Sequence, residues 1–145
     1  MSHHDHHHHT PEEQLLEDAL AFSYSCEGTH PYEISLEDLK ASIVQGLQQI
    51  AARLAEDGVL YGHVKALLSW KDCTNQNGRL AFSVTRLGET DQTILGTSPT
   101  PNQLIYWKMT VNVISLWNTT ALQEDDLEKF FPKFCSILPR NTSVI

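Results

Sequence analysis

The sequence predicts an α+β fold: an antiparallel three- to four-stranded sheet with helices packed mainly on one face, in the order α-α-β-β-(β)-β-α. Three observations carry this expectation. Apolar residues recur at steps of three and four from Leu36 to Leu54, the signature of one face of a helix. From Val59 onward the period becomes two, as in half-buried strands. The alternating runs are separated by tight-turn chemistry such as Asn77-Gly78, which joins antiparallel rather than parallel neighbours.

Each element has its own warrant. Thr10, Pro11 and Glu13 form a helix start with a capping box, followed by a short stripe of Leu15, Leu16, Ala19 and Leu20. Ser23 to Pro31 reads as a loop. A second helix begins at an N-cap Ser35, carries Leu36, Leu39, Ile43, Leu47, Ile50 and Leu54 on its buried face, and ends at Gly58 as a left-handed cap. Leu60, Val64, Ala66, Leu68 and Trp70 alternate along a long strand, and Asp72 to Gly78 is its turn. Leu80, Phe82 and Val84 mark the next strand, Gly88 to Asp91 a turn, and Gln92 to Gly96 a short third strand. After a loop over residues 97–102, a final strand alternates Ile105, Trp107, Met109, Val111, Val113 and Trp117. A last helix spans Ala121 to Ile137, with Pro132 expected to kink or split it.

Two segments follow from this reading: a flexible histidine-rich stretch over residues 1–9 and a single domain over residues 10–145. Composition narrows the function classes. A net charge of −8 opposes phosphate backbones and anionic lipid surfaces, so neither nucleic acid nor a membrane is an expected partner. No run approaches the roughly 20 apolar residues of a membrane span. Three cysteines, Cys26, Cys73 and Cys135, are widely spaced without a CxxC, and the opening residues lack the apolar core of a signal peptide. The expected location is cytoplasmic.

The local feature that speaks to chemistry is the run His3-His4-Asp5-His6-His7-His8-His9. Neutral imidazoles at this local concentration bind divalent transition metals without a preformed cavity. The run reads either as a native metal tract or as an expression tag. Asp5 interrupts it and Thr10 passes directly into the capping box, which favours the native reading. It resembles the histidine-rich openings of nickel-handling accessory proteins for urease and hydrogenase. That resemblance covers residues 3–9 and implies only that these histidines take nickel. Nickel or zinc is therefore the expected ion, and no other cofactor is expected.

Two weaker constellations remain. Cys26 and His30 are zinc-ligand types separated by three residues, but two ligands do not complete a tetrahedral site. On the strands, Tyr61, His63, Lys65, Tyr106, Lys108 and Asn112 fall opposite the apolar side and form a ligand or interface face, read against the alternative of a solvated sheet surface. Leu67 and Ile114 among them suit burial against a second copy or another protein. No GxSxG, HExxH, P-loop or nucleotide-binding glycine motif occurs, and no residue is assigned a catalytic role. Three readings follow: a non-catalytic metal-binding or metal-buffering protein, an interaction or assembly module with the histidines incidental, and a small enzyme or anion-binding protein using the polar sheet face.

Overall fold

The computed structural model describes residues 20–96, 100–116 and 124–137. Along them run β1 (Leu20–Ile34), α1 (Leu36–Leu54), β2 (Ala55–Glu56), β3 (Val59–Leu60), β4 (Gly62–Asp72), β5 (Asn77–Arg86), β6 (Glu89–Ile94), β7 (Leu104–Ser115) and α2 (Glu124–Ile137). Five strands make one antiparallel sheet in the order β1-β7-β4-β5-β6, and β2 with β3 forms a small separate ribbon.

This corrects the expected α-α-β-β-(β)-β-α order and the sheet of three to four strands. The described chain is mostly strand, the sheet has five members, and the helices do not share one face as expected. Of the two described helices, α1 lies across the sheet, and α2 docks on the flank of α1 and on the edge strand β1. The largest single error is β1. Residues 23–31, read as a loop, are strand, and Leu20, placed at the end of a helix, opens it. Its alternation is real but muted: Phe22, Tyr24 and Cys26 are half-buried, while Ala21, Ser23, Ser25 and Glu27 are exposed. Gly28 continues the inner side without a side chain, because a Cβ there would lie 2.6 Å from Trp107 Cε2. Residues 10–19, expected as the first helix, lie outside the described residues.

The helix α1 follows its sequence closely. The Ser35 side chain accepts a hydrogen bond from the Asp38 amide at 3.1 Å, closing the N-terminus, and Glu37 and Asp38 complement the dipole. Leu39, Ile43, Leu47, Ile50 and Leu54 are buried against Val64, Leu68, Phe82, Met109 and Val111. Gln48 ties the outer hairpin to the helix: its Nε2 donates to Glu89 O and Thr90 Oγ1, both at 2.9 Å, and its Oε1 accepts from the Gly88 amide at 2.8 Å.

The turns sit slightly off their expected places. Gly58 is not a helix cap: Ala55 ends the helix in an extended conformation, and Asp57 (φ 54°) with Gly58 (φ 78°) forms the two-residue turn of the β2–β3 ribbon. Asn77 and Gly78 already belong to β5, and the preceding turn is organised by Asp72. That carboxylate is fully buried; Oδ1 accepts from the amides of Thr74 and Gln76 and the Thr74 hydroxyl at 2.8–2.9 Å, and Oδ2 from the Asn102 amide at 3.0 Å. Leu87 and Gly88 turn the chain into β6. In β7, Leu104 rather than Ile105 is buried, because the register slips between the pairs Lys71–Tyr106 and Asp72–Leu104 and leaves Ile105 as the extra residue of a bulge. The helix α2 starts at Glu124 and is not split by Pro132. Trp117 lies outside the described residues.

Candidate functional site

The two faces of the sheet differ in character. One carries the core beneath α1; the other presents the alternate residues of all five strands. Register makes this open face explicit. Lys65 lies opposite Asn112 on β7 and Ser83 on β5, and His63 opposite Ile114. Lys108 lies between Ser69 and Glu27, and Tyr106 between Lys71 and Thr29. Tyr61 precedes β4 and accepts the Leu116 amide through its carbonyl at 3.0 Å.

The face residues read from sequence therefore do not form one cluster. His63, Lys65 and Asn112 gather at one end. Lys108 and Tyr106 lie towards the other, about 13 Å and about 20 Å away along the strands at roughly 3.3 Å per residue. Desolvation, with the charge of Lys65 beside it, holds the His63 imidazole below its ordinary pKa, so the ring is neutral at pH 7. Tyr106 donates its hydroxyl proton to Glu27 Oε2 at 2.9 Å; that hydrogen bond, with burial and the carboxylate charge, raises the phenol above its ordinary value.

Among the described residues, five Lys and Arg stand on this face: Lys65, Lys71, Arg79, Arg86 and Lys108. Glu27, Glu89 and Asp91 are its acids among the described residues, so the described part of the face carries net +2 (five minus three), opposite in sign to the chain as a whole. Lys71 and Arg79 were absent from the candidate set. The signal was available, since Lys71 continues the 63-65-67-69 alternation and Arg79 the 81-83-85 one.

Among the described residues, two concavities of different size line this face. The larger, of about 890 Å³, is lined by Thr29, Ser69, Lys71, Asn77, Arg79, Leu95, Ile105 and Tyr106, with backbone at Gly78 and Gly96. The smaller, of about 310 Å³, is lined by Lys65, Leu67, Ala81, Ser83, Asp91, Thr93 and Asn112. His63 does not line either. A third concavity of about 670 Å³ lies off this face, between the N-terminus of α1 and the turn at Cys73 and Thr74.

The metal candidates fall elsewhere. The histidine run, His3, His4, His6, His7, His8 and His9, lies outside the described residues. Cys26 is half-buried on the inner side of β1, in register with Met109, and His30 belongs to the same strand. Among the described residues no three His, Cys, Asp or Glu side chains converge as a metal site would require. Nor is any described helix long and apolar enough to cross a membrane.

Comparison with known proteins assigns no family. No family model matches the chain, and no curated protein matches it. Among solved structures, the chain is similar to a zinc-bound triple mutant of the YjiA GTPase, at 12% identity and a TM-score of 0.36. The match covers 79% of this chain and 29% of the GTPase. At that score the likeness transfers neither fold nor function.

Proposed function

We propose that this chain is a non-catalytic cytoplasmic protein that binds or buffers a divalent transition metal, Ni²⁺ or Zn²⁺, through its histidine segment. One observation carries the reading: six imidazoles lie within seven consecutive positions, His3 to His9. Two or three of them satisfy a nickel or zinc ion without prior ordering, and the remainder let the ion exchange between ligand sets. Such a site suits holding and handing over an ion rather than polarising a substrate, since catalytic metal sites fix their ligands rigidly.

Isothermal titration of the full chain with Ni²⁺ tests this against a full-length variant carrying Asn at all six histidine positions. The wild type is expected to bind, with affinity falling steeply below about pH 6, where imidazoles of ordinary pKa near 6.5 take up protons. The variant is expected to lose this binding. Equal uptake by both would place the metal in the folded part and refute the proposal.

A second reading is favoured by the charge separation of the sheet. A net-positive open face with Leu67 and Ile114 among its polar groups is a surface for a second copy of the chain, another protein or an anionic ligand. In this reading the histidines are incidental.

A further inference from the structure

The larger concavity of the open face combines features that the sheet alone does not require. Ser69 and Arg79 are directly opposed across β4 and β5, as are Lys71 and Asn77. Lys71 and Arg79 are therefore diagonal neighbours on one face, within reach of each other's long side chains. Neither makes an ion pair among the described residues. The nearest described acid on this part of the face, Glu27, lies two strands from Lys71 and receives the Tyr106 hydroxyl at 2.9 Å. Two like charges on a cross-strand diagonal repel, and an anion seated between them removes the repulsion. The Ser69 hydroxyl and the Asn77 amide flank the pair as neutral donors.

The bulge in β7 adds the second half of the site. By inserting Ile105 it sends an apolar side chain into the same concavity, where Leu95 from beyond β6 also faces. A patch of Ile and Leu beside Lys and Arg matches a molecule with an anionic end and an apolar body. The volume of about 890 Å³ lies within the range of small-molecule sites.

We propose that this concavity binds an organic phosphate. The phosphate sits between Lys71 and Arg79, with Ser69 and Asn77 donating to it, and the organic part lies against Ile105, Leu95 and the Tyr106 ring. Arg79 offers the planar fork that grips two phosphate oxygens, and Lys71 supplies a point charge. The inference rests on the open face being a ligand surface and is independent of metal binding by the histidines.

Phenyl phosphate, inorganic phosphate and phenol are the probes, each titrated into the full chain at about pH 8, where unperturbed imidazoles are neutral and phosphate monoesters are dianions. Amide chemical shifts read the site. Phenyl phosphate is expected to give saturable shifts at residues 69–71, 77–79 and 105–106. Inorganic phosphate should bind about tenfold more weakly, having lost the apolar contact, and phenol more weakly still. Arg79→Gln with Lys71→Gln should abolish the shifts while leaving the melting temperature unchanged or raised, since a repulsion is removed. Arg79→Lys, which keeps the charge and loses the fork, should weaken binding several-fold. Absence of saturable shifts at millimolar phenyl phosphate overturns the proposal, as does undiminished binding by the double variant. Shifts centred on Lys65 and Asn112 overturn this placement while leaving the open face a ligand surface.

Discussion

Gly46 lies in the middle of α1 and is buried, and its reason for being there is the ring of Phe134. A Cβ built at position 46 would overlap the Phe134 ring, which is 1% exposed and docks α2 onto α1 at this point. Helix propensity alone says that Gly46→Ala should stabilise the protein by about 1 kcal/mol. The overlap involves several ring atoms, so the ring must leave rather than adjust. Losing a buried Phe contact costs about 3–5 kcal/mol. The expected net effect of Gly46→Ala is therefore a destabilisation of about 2–4 kcal/mol. Phe134→Ala alone should cost about 3–5 kcal/mol. With the ring gone, alanine at position 46 fits, so the double variant should be about 1 kcal/mol more stable than Phe134→Ala. The cycle then closes with a coupling of several kcal/mol rather than by addition. Urea unfolding of the four proteins measures it. Stabilisation by Gly46→Ala, or additivity within about half a kcal/mol, would show that α2 does not pack where described.

Two further outcomes follow from polar groups. Burial raises the pKa of Asp72, but hydrogen bonds from the Thr74 side chain and from the amides of Gln76, Asn102 and Thr74 outweigh it and hold the carboxyl below its ordinary value. A carboxylate with a depressed folded pKa contributes stability that is present above the unfolded pKa of about 3.9 and is lost as pH falls through the folded value. Asp72→Asn turns one oxygen into a donor facing the Asn102 amide, so it should lower the melting temperature at pH 7. Its deficit against wild type should shrink below about pH 4; a deficit independent of pH in melting curves would refute the linkage. On the open face, Lys65→Glu with Lys108→Glu should disrupt self-association with little change in melting temperature, since both side chains are exposed. A wild type that light scattering finds monomeric at high concentration, and that no anionic metabolite perturbs, would return this face to a solvated surface.

How much of the fold was legible depended on how local each signal was. The helix α1 declared itself because its cap, stripe and dipole residues all lie within 20 positions of one another, and each reports the same element. The strands β4 and β5 were equally plain, with Val64, Leu68, Phe82 and Val84 buried as their alternation requires. The strand β1 was hidden because an edge position needs less apolar content. Its inner residues include Cys26 and Gly28, and the missing side chain of Gly28 is dictated by Trp107 on the neighbouring strand, a partner about 80 positions away. No window along the chain contains that fact. The bulge at Ile105 was lost for the same reason: alternation puts Ile105 with Trp107, and only pairing with β4 shows the slip that turns it outward.

The site was harder to read than the fold because charge was summed over the wrong distance. A total of −8 argues against anionic partners only for a ligand far enough away to feel the whole molecule. At physiological salt the screening length is about 8 Å, while side chains on opposite sides of a helix–sheet layer lie about 10 Å apart or more. A ligand in contact with Lys71 and Arg79 therefore responds to those two charges and to Glu27, and hardly to Glu37, Asp38, Glu56 or Asp57 around α1. The five-strand order brings Lys65, Lys71, Arg79 and Lys108 onto one surface from three separate stretches of sequence. The acids of the α1 region stay with the helix and its turn. The same topology that scatters these cations along the chain collects them on the sheet, and the local field there has the opposite sign to the net charge.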